Sequence, residues 1–226
     1  MEFLELHTGH HLIIQFLGMD VNMDTIYLTW LVALLVIIVT VSATRSRALV
    51  PSGLQNAVEM IIEALLAQFK ETLGPKWQQV VSVLLTFFLF ILFSNELGLL
   101  PSPHLLASPT NDLNTTLGLA LVSTFMVHYV ALKNQGVKKH VKHYFEPFVP
   151  FVLMNILEEF TKPLTLAFRL FGNILAGEIL LEVLYKLVPA GVPIVWLIFS
   201  LFIGLIQAFI FTILVTSYLA DSLESD

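Results

Sequence analysis

The chain has no cysteine among its 226 residues, which rules out disulfide frameworks, thiolate nucleophiles and cysteine-ligated metal centres. Charge is scarce too. Asp, Glu, Lys and Arg make up 12% of the residues, about half the share usual in a soluble domain. Lys and Arg are missing altogether from residues 1–25 and 101–114. The N-terminal stretch carries acids and histidines with only a short apolar patch, unlike a secretory leader. There is no Gly-rich phosphate loop, nucleophile triad, metal-binding helix pair, internal repeat or low-complexity tract. These absences argue against an enzyme acting by itself, and no cofactor or metal is expected.

What is present is apolar. Hydrophobic residues form 57% of the chain, in continuous runs near or beyond the ~20 residues that cross a hydrocarbon core about 30 Å thick. Barrel strands would alternate instead. The expected fold is an all-α integral membrane protein, one membrane domain over residues 1–226. Spans are expected at 26–43, 77–100, 115–132, 148–188 and 193–220. Residues 52–73 differ: Leu54, Val58, Ile61, Ile62, Leu65, Phe69 and Leu73 recur at helical spacing. Gln55, Asn56, Glu59, Glu63, Gln68 and Glu71 fall largely on the other side. This amphipathic helix is too charged to span and is expected to lie along the membrane surface or against a partner.

Basic residues set the expected orientation. With five spans, Arg45, Arg47, Lys70, Lys76, Lys133, Lys138, Lys139 and Lys142 all fall on one side. By the positive-inside rule, residues 1–25 and the Pro/Ser/Asn-rich loop 101–114 lie outside. The surface helix, the basic loop 133–147 and the tail 221–226 are then cytoplasmic. The KKHVKH segment reads as a topology signal rather than a nucleic-acid patch, and His7, His10 and His11 as a solvated tail.

The fourth and fifth spans are too long for a perpendicular crossing. A 40-residue helix measures ~60 Å, twice the hydrocarbon thickness. Upright tilt alone would need about 60°, beyond the usual limit near 40°. The two are expected to form a long, strongly tilted hairpin, turned by LVPAGVP, and Pro163 is a possible bend.

Ionisable residues inside spans are costly and generally face a cavity or a partner. The fourth span holds Glu158, Glu159, Lys162, Arg169, Glu178, Glu182 and Lys186. On a regular helix Glu158, Lys162 and Arg169 lie within about 20° of one line, with Thr165 and Asn173 about 40° to either side. Glu178 is nine residues beyond Arg169, about 180° round and ~13 Å along. The two cannot pair, so they address different surfaces. Glu158 and Lys162 have the spacing of a supporting ion pair, and Glu182 and Lys186 that of snorkelling side chains at a helix end. Gln207 is a lone amide in SLFIGLIQAFIF, suited to inter-helix hydrogen bonding or to function.

RLFGNILAGE, residues 169–178, resembles the signature of subunit a of F-type ATP synthases. The resemblance extends to NELGLLP at 95–101, to TKPLTLAFRLFGN and to QAFIFTILVTSYLA, in order along nearly the whole chain. It implies a stator-side proton channel beside a rotating c-ring, held by peripheral-stalk b subunits in a bacterial cell membrane. It also implies that Arg169 faces the proton-carrying carboxylate of each passing c subunit. Asn173 and Gln207 match polar positions near that arginine, and Glu178 matches an acid of the half-channel opening outside. Ser200 stands where many bacterial members carry a histidine, leaving water or Glu182 to take its place. Asn155 occupies a position that is acidic in many relatives on the cytoplasmic path, a role Glu158 or Glu159 would then take. A secondary transporter would usually show internal repeats, and a passive anchor gives Arg169 and Glu178 no reason to be there.

Overall fold

Among the described residues of the computed structural model, five helices are long and apolar enough to cross a bilayer, making this a multi-pass membrane protein. The structure describes residues 13–16, 19–45, 53–99, 108–143, 152–188 and 191–224. His7, His10, His11, Arg47, residues 101–107 of the 101–114 loop, residues 144–151 and the centre of the 187–193 turn lie outside them. The five long helices are α1 (Met23–Arg45), α3 (Val81–Gly98), α4 (Leu113–Gln135), α6 (Val152–Leu187) and α7 (Val192–Glu224). Two shorter ones, α2 (Leu54–Leu73) and α5 (Val137–His143), accompany them.

Helix ends depart from the hydropathy reading because capping, not apolarity, sets them. Asp112 caps α4, its side chain accepting from Asn114 N at 2.8 Å, so that helix starts at Leu113 rather than 115. The expected span 77–100 begins only at Val81. Gly74, at φ 55°, ends α2, and Pro75 opens a 3-10 segment, Gly74–Gln79. The tail expected at 221–226 continues α7 as far as Glu224, and the basic loop contains α5. One element was not foreseen. Strands β1 (Ile13–Phe16) and β2 (Met19–Asn22) pair antiparallel, Ile13 opposite Asn22, in the β-branched stretch ahead of α1.

α7 is the centre of the bundle and packs against α2, α3, α4 and α6. Ala208, Phe211, Thr212, Val215, Thr216 and Leu219 are buried along its second half. Thr212 and Thr216 satisfy their hydroxyls by donating to the carbonyls of Ala208 and Thr212. α2 finds its partner within the chain: Leu65, Phe69 and Leu73 enter the main core and the helix packs on α7. Gln55, on the side expected to be polar, is nevertheless buried and donates to Glu59 Oε1 at 2.8 Å.

A 3-10 turn, Pro109–Asn111, locks one end of the bundle. The Ser108 hydroxyl donates to Ser94 O at 2.8 Å and lies 2.6 Å from the Thr110 hydroxyl. Thr110 donates to Asn95 Oδ1 at 2.9 Å, and Asn95 Nδ2 donates to Gly204 O at 3.2 Å. This buried chain ties the turn to α3 and α7, satisfying groups that would be expensive to leave unpaired. Asp112 Oδ2 accepts from Asn22 and Thr25, attaching the start of α1 to the same place.

Candidate functional site

α6 carries two chemically distinct surfaces. Thr165, Phe168 and Arg169 are exposed on one of them. Arg169 has no hydrogen bond or ion pair with any described residue. A guanidinium presents five donors and keeps its charge at every accessible pH. An embedded cation without a partner among the described residues calls for an anion.

Glu178 lies on the other surface, half-buried. Its Oε2 accepts from Asn111 Nδ2 at 2.5 Å, so the 3-10 turn that locks α3 to α7 also holds the acid. Asn111 gave no sign of this role in sequence, where it is one polar residue of a loop, 67 positions from Glu178. Replacing Asn111 with alanine is expected to destabilise the fold by about 1 kcal/mol, the net worth of one hydrogen bond, read as a lowered midpoint in thermal unfolding of the purified protein.

A cavity of about 150 Å³ lies between the end of α3, α6 and α7, lined by Leu99, Asn173, Gly177, Trp196, Ser200 and Ile203 among others, with Glu178 outside its wall. That volume holds several waters. Trp196 Nε1 donates to Gly177 O at 3.2 Å, fixing one wall. The Ser200 hydroxyl lies 4.0 Å from the position of a Cβ on Gly177, the residue before Glu178. Glu182, the other candidate to replace the histidine, is engaged by Lys186 at 2.7 Å. Among the described residues, the side chain that bonds Glu178 is Asn111. Gln207 is buried, and its Nε2 has no acceptor among the described residues.

At the beginning of α6 the expected Glu158–Lys162 ion pair does not form. Lys162 instead meets Glu159 at 3.5 Å and lies over the Tyr218 ring at 5.5 Å. Glu159 also meets His128 of α4 at 3.1 Å. Packing of α4 on α6 turns Glu159 inward and leaves Glu158 exposed. Glu158 has no side-chain partner among the described residues. Sequence reasoning also passed over Glu96, quoted only as part of NELGLLP. An acid within an otherwise apolar span was the available signal.

The family model described as ATP synthase A chain matches residues 26–220. ATP synthase subunit a of Desulforamulus reducens is 40% identical over 215 residues, covering 91% of this chain and 81% of the relative. ATP synthase subunit a of Gloeobacter violaceus is 42% identical over 226 residues, covering 97% and 91%. The matched region contains most of α1, all of α2 to α6, most of α7, and both Arg169 and Glu178. This multi-pass protein belongs to the ATP synthase A chain family, the proton-translocating subunit a of F-type ATP synthases.

Proposed function

We propose that the chain forms two proton half-channels on the stator side of the rotor and is itself non-catalytic. Protons enter from outside near Glu178, load a carboxylate of the c-ring, ride the rotor, and leave to the cytoplasm after that carboxylate meets Arg169. Glu158, exposed and free of the Glu159–His128–Lys162 cluster, is the better placed acid for the exit. The observation that carries this reading is the opposition of the two surfaces of α6. A cation without a partner among the described residues is exposed on one, and an acid held by Asn111 is half-buried on the other.

The chemistry follows from the charge. A permanent cation keeps the arriving rotor carboxylate ionised, so its proton has to have left before the two meet. The same cation opposes direct passage of a proton between the half-channels. Each proton delivers ~2.3 kcal/mol per 100 mV, and a leak past Arg169 would dissipate it without rotation. The exposed apolar Leu164 and Phe168 beside Arg169 suit a hydrophobic rotor surface. The distribution of Lys and Arg supports an N-terminus outside and a cytoplasmic C-terminus in a bacterial cell membrane, with b subunits as stalk partners.

Because the chain lacks cysteine, a single thiol tests the rotor contact. Thr165→Cys, one turn before Arg169, is combined with a cysteine one turn from the c-subunit carboxylate. Oxidation is expected to give an a–c cross-link that stops ATP-driven pumping, with reduction restoring it. A cross-link absent at Thr165 but formed from the Glu178 side of α6 would overturn the assignment.

A further inference from the structure

Glu96 is an acid for which the two half-channels so far have no use. It lies in the last turn of α3, half-buried against α7. Its Oε1 stands 3.1 Å from where a Cβ on Gly204 would be, so the carboxylate fills space left by the missing side chain. Gly204 itself is buried, and Asn95, the neighbour of Glu96, holds the Gly204 carbonyl at 3.2 Å. The Glu96 carboxylate has no hydrogen bond or ion pair among the described residues. No described residue pairs its charge, and an unpaired acid in a membrane helix marks an ion pathway by default.

Its level in the bundle identifies which pathway. α6 and α7 pack as a hairpin whose turn lies between Leu187 and Val192. At 1.5 Å per residue, Glu178 is about 13 Å from the turn along α6, and Ser200 about 12 Å along α7. Arg169 and Gln207 are about 27 Å and 22 Å away. Gly204, with Glu96 against it, falls between these levels at about 18 Å. The cavity bridges the same interval, reaching from Trp196 to Asn173 and Ile203, with Leu99 of α3 in its wall one turn beyond Glu96.

We propose that Glu96 is a second proton-carrying carboxylate, relaying protons from the cavity between α6 and α7 toward the rotor, an assignment that rests on the half-channel reading above. A proton delivered by cavity water binds the Glu96 carboxylate, giving the neutral acid. It then passes to the ionised rotor carboxylate, and Glu96 returns to its starting charge. One proton moves and no other bond changes. The relay supplies a titratable group on the inward side of Ser200, which is itself a poor proton carrier.

The test uses the whole complex in inverted vesicles, with pumping rates normalised to assembled complex. Glu96→Gln, nearly isosteric, is expected to lower ATP-driven pumping at least about tenfold, as expected for loss of a proton-transfer group. Glu96→Ala combined with Gly204→Asp returns a carboxylate to the same space from α7. This pair is expected to recover most of the rate lost in Glu96→Ala alone, which a role in packing would not produce. Wild-type pumping by Glu96→Gln would overturn the relay, as would a double variant that assembles but stays as slow as Glu96→Ala. Arg169→Ala, measured in parallel, separates the two readings. If it is inactive while Glu96→Gln is unaffected, only the relay fails; if it pumps normally, the half-channel reading fails as well.

Discussion

Arg169→Ala is expected to abolish ATP-driven acidification of inverted vesicles while the complex remains assembled. The side chain is exposed and makes no hydrogen bond or ion pair with any described residue, so the fold does not depend on it. In the function proposed above its partner is the rotor carboxylate. Removing one member of such a pair costs about 3–5 kcal/mol, a rate loss of roughly two to four orders of magnitude at 1.36 kcal/mol per tenfold. Arg169→Lys is expected to recover little, since a desolvated ammonium loses its proton more readily and has no planar fork. Quenching of a pH-sensitive dye, with subunit content checked by immunoblot, measures both. Normal pumping by an assembled Arg169→Ala complex would make the arginine structural and remove α6 from the rotor face.

The second large effect concerns a glycine. Gly98→Ala is expected to reduce the amount of assembled complex several-fold and to slow pumping by what remains. A Cβ at Gly98 would stand 2.3 Å from Ser108 Cβ and 2.8 Å from Ser108 Cα and N. Backbone cannot yield by changing rotamer, so the whole Ser108 segment has to move. That displacement strains the bonds from Ser108 to Ser94, Thr110 to Asn95 and Asn111 to Glu178. Overpacking of this kind costs about 1–3 kcal/mol, and each opened bond adds roughly 1 kcal/mol. Gly118→Ala is the control, because nothing lies within 4 Å of its Cβ position. There the helix preference for alanine, ~1 kcal/mol, is expected to leave assembly unchanged or improved. Equal behaviour of the two variants in thermal unfolding of the purified complex would refute the close approach at Gly98.

The two predictions differ in how readable they were. Arg169 is conspicuous in sequence because a membrane helix tolerates few charges, and its separation from Glu178 follows from the helical repeat alone. Gly98 is one glycine among 11, and only the approach of Ser108, ten residues away across a loop, distinguishes it. Glu158 and Glu159 illustrate the same limit. The i,i+4 spacing favoured Glu158 as the partner of Lys162, but His128 on α4 draws Glu159 into the cluster. The acid that stays unpartnered is thus the opposite of the one the spacing suggested.

The sequence by itself determined the class, the number of crossings, the amphipathic character of α2 and the opposition of Arg169 to Glu178. Each of these depends on a run length or a periodicity within one segment, and hydrocarbon thickness and the 3.6-residue turn convert such local patterns directly into geometry. Only the tertiary structure decided that Asn111 holds Glu178, that Glu96 fills the space over Gly204, and that α2 docks on α7 of its own chain. These pairings join side chains tens to more than a hundred residues apart, selected by which helix faces meet, and no periodicity within a single segment carries that information.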